Sequence, residues 1–362
     1  MVTIDAVRSV NAALVTNKPY VAVVAGGTAG IGECTVRGLA TTFAMDGDGL
    51  RVYIVGRNQD AAEKIISKCE RICPKGKFIF IGGDLVLLKE VDRVCGDITR
   101  LEKEEHTAGG TKPKVDFLLC SQGVLSSKFE ETEEGLDKTL SLSYFSRMRF
   151  AVQLLPLLSN APNGGHFVSV LNARIGPKIQ FDDLPMRKPS SQGFSTAFGH
   201  LTGMVNVFIS ELARRNPGKV ALCHNYPGFV KTNAAETGNL PWLFKFIWKW
   251  LIEPLTRPWQ IPHEEVGQRM VFMASSRFPA AREGDAGDMT NDRGDLVVTN
   301  GVNGKPGSGA YRVDKNGDTY STDATYSKLQ ENGSADEIYQ WTMKVFADVE
   351  AIGLYSAQES EV

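Results

Sequence analysis

Apolar residues follow two rhythms along this chain. Short runs in which most positions are apolar occur at residues 20–25, 51–55, 77–81, 115–119, 166–170 and 220–224. Runs of this length, rich in β-branched residues, read as buried strands of a parallel sheet covered on both faces. Between them lie longer stretches with helical spacing: from 30 to about 45, 59–72, a charged segment ending near 105, 132–158, a segment from 194 that carries positions 198 and 202 on one face, and 263–275. Strand and helix alternating in this way predict an α/β, doubly wound architecture. Residues 296–299 read as the last strand. Beyond them, Asn316-Gly317 between two short apolar runs predicts a hairpin, and 336 to about 352 a closing helix. The Asp314-x-Asn316-Gly317-Asp318 stretch has the start of a calcium loop but lacks its later glutamate, so the hairpin is preferred.

Length and composition fit one large domain with additions. The 362 residues are 42% apolar with a formal net charge of −2, enough apolar material for a sizeable core. The expected division is a lead-in over 1–19, a main domain over 20–299, and an extension over 300–362 packed on the same domain. A charge this close to neutral gives no case for a nucleic-acid partner. The six cysteines form no CxxC motif and read as reduced thiols of a cytoplasmic protein; no metal site is expected. The lead-in looks like a short amphipathic segment rather than a signal peptide, and no apolar run reaches transmembrane length.

The first strand ends at Gly26-Gly27-Thr28-Ala29-Gly30-Ile31-Gly32, where the helical spacing begins. Strand, glycine turn and helix amino terminus form a place for a pyrophosphate: bare backbone permits close approach, and free N–H groups point at the anion. The second strand ends at Gly56-Arg57-Asn58, where a dinucleotide fold meets the adenosine ribose. An arginine there pairs with a 2′-phosphate, so Arg57 argues for NADP(H), with a solvated loop arginine as the alternative.

The Gly-x-x-x-Gly-x-Gly spacing resembles the short-chain dehydrogenase/reductase family. That resemblance extends over roughly residues 20–275 and implies a Rossmann-type sheet of order 3-2-1-4-5-6-7. It implies cofactor contacts at Gly26, Thr28, Gly30, Ile31, Gly32, Arg57, Asn58, Asp84, Leu85, Gln122 and Gly123. The later motif Pro227-Gly228-x-Val230-x-Thr232 completes the set at the nicotinamide end. The family's proton relay falls on Ser143, Asn172 (or Leu171 with a register slip of one), Phe198 and Thr202, none of them the family's residue. Phe198 has no ionisable proton and Thr202 carries no charge. The groups left to act are Tyr226, before Pro227, and Arg174, Asp182 and Asp183 beyond the fifth strand.

Residues 238–258, aromatic-rich with Lys245 and Lys249, stand where the family carries a substrate lid; contact of 240–252 with a membrane surface is the alternative. The family's usual homodimer, through two helices flanking the sheet centre, is expected here as well. Three functions follow. In the first, an atypical enzyme tailors a hydrophobic small molecule, as in secondary metabolism, by non-redox cyclisation, isomerisation or rearrangement, with NADP(H) as a non-redox or weakly held ligand. In the second, an NADPH-dependent reductase acts on an iminium or an activated alkene. In the third, the fold is a non-catalytic binding module.

Overall fold

Seven strands form one sheet: β1 (Tyr20–Ala25), β2 (Leu50–Gly56), β3 (Lys77–Gly82), β4 (Phe117–Cys120), β5 (Gly165–Val170), β6 (Val220–Asn225) and β7 (Ala310–Val313). They stand in the order 3-2-1-4-5-6-7, and each neighbouring pair is parallel. This is the expected Rossmann-type order. The structure, a computed structural model, describes residues 2–16, 18–44, 48–109, 112–124, 126, 129–176, 178–191, 193–232, 242–281, 297–320 and 324–355. The first residues of the expected lid (238–241), residues 282–296, which include the start of the expected last strand, and residues 356–362 lie outside them.

Helices cover both faces. On one face lie α1 (Ile4–Ala13), α2 (Gly30–Thr42), α3 (Gln59–Ile72) and, later in the chain, α7 (His263–Phe272). The other carries α4 (Leu88–Gly109), α5 (Ser146–Gln153) and α6 (Phe194–Arg215), followed by α8 (Ala324–Glu331) and α9 (Ser334–Ile352). Alternate residues of each central strand feed the two cores: Val21, Val23 and Ala25 face one, Ala22 and Val24 the other.

Two expectations change. The seventh strand is Ala310–Val313, not the described part, 297–299, of the expected strand. Its register on β6, Leu222 beside Ala310 through Asn225 beside Val313, is set by pairing at long range. Thr299 instead donates its N–H to the Arg277 carbonyl (3.1 Å) and shares a 2.7 Å hydroxyl contact with Thr319. The predicted hairpin is present and starts from β7: Tyr320 N–H donates to Arg312 O at 2.9 Å. The expected helix over 132–158 is broken. Gly135 has φ +74°, and Asp137 caps a new start by accepting from Leu140 N–H at 2.9 Å. A wide π-type turn, Ser141–Phe145, then precedes α5.

The helix α9 lies across α5 and α6: the Tyr339 ring stacks on Phe208 at 5.1 Å, and Trp341 and Phe346 meet Phe145 at 5.3 and 6.2 Å. The Tyr144 and Thr342 hydroxyls are 2.7 Å apart, and Arg149 pairs with Glu350 at 2.9 Å. The carboxyl-terminal helix therefore packs on the aromatic face formed by Phe145 and Phe208.

Candidate functional site

At the carboxyl end of β1 the backbone turns through Gly26, at φ +80°, and Gly30, at φ +56°, both in the left-handed region that favours glycine. Gly32 is required for a different reason. A Cβ there would stand 2.2 Å from the Gly26 carbonyl oxygen, so only glycine lets α2 seat against the turn. The helix has Ala29 at its N-cap with no side-chain cap, which leaves its first N–H groups facing outward for an anion. Thr28 packs against Gly56 at the end of β2, where a Cβ would meet its Oγ1 at 2.7 Å. Thr232 closes the other side, with its methyl 3.3 Å from where a Gly30 Cβ would stand. This bare-backbone cradle over an uncapped helix start fits a dinucleotide's phosphates.

Other expected contacts fall around the same edge. Arg57 and Asp84, at the ends of β2 and β3, face each other at 3.8 Å and both are largely exposed. Asn58 caps α3, its Oδ1 accepting from Ala61 N–H at 3.0 Å, and Leu85 is buried in the core. Gln122 is buried, with Nε2 donating to Ser146 Oγ at 3.2 Å and Oε1 without a partner. Gly123 follows, with a would-be Cβ 3.6 Å from Ser143 Oγ. Beyond β6, Gly228 has φ +77° and is overlaid by Ile261 and Lys315; Val230 packs on the core.

The four positions aligned with the proton relay are held in different ways. Ser143 is buried in the π-type turn. Asn172 Oδ1 accepts from Arg174 N–H at 3.2 Å. Phe198 and Thr202 sit one turn apart on α6. The Thr202 hydroxyl, fully buried, lies 3.0 Å from Phe198 O and 3.1 Å from Gly199 O, so its proton is spent on its own helix.

Asp183 has a structural task. Its two oxygens accept from Arg187 and Lys188 N–H, each at 2.8 Å, and it is buried, so it holds this turn. Asp182 is exposed and paired to Lys188. His200, also buried, ties the same segment to α6. Its Nδ1 accepts from Gln180 N–H at 3.0 Å, so Nε2 carries the proton and donates to Leu184 O at 3.1 Å. Burial pulls its pKa down to about 4.

Tyr226 and Arg174 each lie within electrostatic range of Tyr320, a residue that sequence reasoning passed over. The hairpin after β7 brings Tyr320 beside them. Burial, then the charges of Asp314 and Tyr226, push its phenol up to about 12 against the opposing pull of Arg174 and Arg312. Arg312, buried in β7, lies 5.5 Å from the Tyr320 ring centre and 5.2 Å from that of Tyr326. Its donors reach Ala173 O at 3.0 Å and Arg174 O at 3.4 Å, fixing the loop that holds Asn172. Beneath them, His224 Nδ1 meets Asn206 Oδ1 at 2.6 Å, while Asn206 Nδ2 donates to the Tyr326 hydroxyl at 2.6 Å. His224 is held well below the ordinary histidine range by burial, then by Arg147 and Arg312. The available signal was spacing: Asn206 repeats the 198–202 interval, and Arg147 lies four residues past Ser143.

The helical segment Trp242–Ile247 and the turns after it leave Trp242, Phe246, Trp250 and Trp259 exposed. Among the described residues no helix is long and apolar enough to cross a membrane, and no cluster of His, Cys, Asp or Glu is placed to hold a metal ion. All six cysteines are buried and unbridged.

A family model described as short chain dehydrogenase matches residues 20–240. The short-chain dehydrogenase/reductase SAT2 of Stachybotrys chartarum is 32% identical over 353 residues, 96% of this chain and 98% of that protein. Oxidoreductase AN1596 of Emericella nidulans is 33% identical over 320 residues, 88% of this chain and 90% of that protein. Among solved structures, L-sorbose reductase from Gluconobacter frateurii, complexed with NADPH and L-sorbose, superposes with a TM-score of 0.50. It is 17% identical and the match covers 83% of this chain and 96% of that one, a likeness of fold.

Proposed function

This chain belongs to the short-chain dehydrogenase/reductase family, and from that membership we propose that it is an NADP(H)-binding enzyme that tailors a hydrophobic small molecule without the family's tyrosine–lysine relay. The observation that carries this reading is the hydroxyl of Thr202, directed at Phe198 O and Gly199 O beside an otherwise complete dinucleotide cradle. Gly26, Gly30, Gly32 and Thr232 would hold the diphosphate, Arg57 the 2′-phosphate, and the 227–232 turn the nicotinamide end. A nicotinamide bound there supplies hydride chemistry when the substrate accepts it.

In this reading Tyr320, Tyr226 and Arg174, which interact electrostatically, would form the ionisable wall of the substrate site. Tyr320 keeps its proton throughout the physiological range, so it acts as a hydrogen-bond donor or general acid rather than a base. Arg174 is exposed and would steer or polarise an oxygen. Such a wall suits cyclisation, isomerisation or rearrangement, where holding reacting atoms in place lowers a barrier by roughly 7–11 kcal/mol in favourable cases. The exposed aromatic segment from Trp242 to Trp259 would close over an apolar substrate.

A second reading, reduction of an iminium or activated alkene, is favoured by the intact cradle and by the oxidoreductase names of the relatives. Incubation with candidate substrates and deuterium-labelled NADPH separates the two. Product formed without nucleotide turnover supports rearrangement; deuterium in the product, one per turnover, establishes reduction.

A further inference from the structure

Arg147, on α5, is 1% exposed at the carboxyl ends of β4 and β5. Its Nε and Nη2 donate to the Gln122 carbonyl, Nε at 3.0 Å, and Nη1 donates to Ser169 Oγ at 3.0 Å and Val170 O at 2.7 Å. Every one of these acceptors is neutral. The other buried arginines are compensated: Arg51 by Glu102, Arg149 by Asp92, Arg269 by Glu265, and Arg312 by the faces of two tyrosines. Among the described residues Arg147 has neither a carboxylate within 4.0 Å nor a ring beneath it. Burial lowers its pKa only to about 10, so the guanidinium is charged at neutral pH.

A buried, uncompensated cation is costly to the folded chain and creates a positive potential that an anion relieves. The direction in which it acts is set by Gly123. A Cβ at that residue would lie 3.3 Å from Arg147 Nη2, so the guanidinium edge abuts bare backbone at a residue assigned to the cofactor. No charged side chain stands at Thr202 to supply a cation from α6.

We propose that Arg147 is a positioning residue for the nucleotide, the fixed positive charge beneath Gln122 and Gly123 that draws an anionic dinucleotide into the cradle in place of a lysine on α6. The inference rests on the nucleotide-binding reading. It is tested by titrating the full chain with NADPH, followed by nicotinamide fluorescence, in wild type, Arg147→Lys, Arg147→Met and Arg147→Gln. Thermal melting of each protein without nucleotide reports folding separately, and Arg147→Gln keeps a donor for the Gln122 carbonyl if Arg147→Met does not fold. A neutral residue should weaken NADPH binding tenfold or more, and lysine should restore it to within about threefold. A folded neutral variant with the wild-type Kd would overturn the inference while leaving the nucleotide reading standing. A wild-type chain that binds no NADPH would overturn both.

Discussion

Thr202 Oγ1 lies 3.0 Å from the carbonyl oxygen of Phe198, one turn earlier on the same helix. The only proton Thr202 has to give is therefore turned into α6, and Phe198 has none. Thr202→Val should leave turnover unchanged and alter stability by no more than about 1 kcal/mol, since the hydroxyl bond is replaced by methyl packing. Tyr320→Phe should lower turnover by roughly a hundredfold with little effect on nucleotide affinity, because it removes the protonated phenol beside Arg174 and Tyr226. Steady-state kinetics on the two variants checks this; the reverse pattern would return the chemistry to α6.

Gly32→Ala places a methyl group 2.2 Å from the Gly26 carbonyl oxygen. The contact is backbone against backbone and cannot be relieved by a rotamer. The turn must open, so NADPH affinity should fall at least tenfold, with a lower melting temperature. A normal titration for this variant would show that the turn does not form the cradle.

Because α9 lies on Phe145 and Phe208, the chain should sediment as a monomer. Deleting residues 334–362 uncovers that aromatic face, and the shortened protein should associate or precipitate. Sedimentation velocity on both forms decides the matter. A wild-type dimer that survives cross-linking through α5 and α6 would contradict this packing.

His200 makes stability depend on pH. Its folded pKa, about 4, lies below the unfolded value near 6.5, so the unfolded chain binds more protons in that window. The stabilisation is complete above about pH 6.5 and is lost on acidification towards pH 4, at up to roughly 1.4 kcal/mol per pH unit. A second proton would have to sit on Nδ1, which accepts from Gln180 N–H. Urea midpoints measured from pH 7 to pH 5 should fall less steeply for His200→Gln than for wild type. Equal slopes would show that His200 is not the group responsible.

Much of the fold was legible because its signals are local. The run from Tyr20 to Ala25 is a continuous β-branched stretch closed by glycines, and the same grammar marks β2 to β6. Residues 296–299 carry that grammar, yet 297–299 are not the seventh strand, whereas Ala310–Val313, interrupted by Arg312, is. Edge pairing in a parallel sheet is settled by contacts about ninety positions apart, which a local pattern does not encode. The glycine turn after β1 was legible for the same local reason. The buried polar groups were not: a sequence reads Arg147 and Arg149 alike as charged positions of a helix. The fold pairs Arg149 with Asp92 and leaves Arg147 against neutral carbonyls. Tyr320 was hidden in a hairpin whose destination depends on where β7 pairs.

The most direct test of the account is an equilibrium titration of the purified chain with NADPH and NADH, in wild type and Arg57→Ala. The account predicts micromolar NADPH binding, a preference of at least tenfold over NADH, and loss of that preference when Arg57 is removed. No binding of either nucleotide at millimolar concentration would contradict it, and would mean that the glycine turn no longer serves a cofactor.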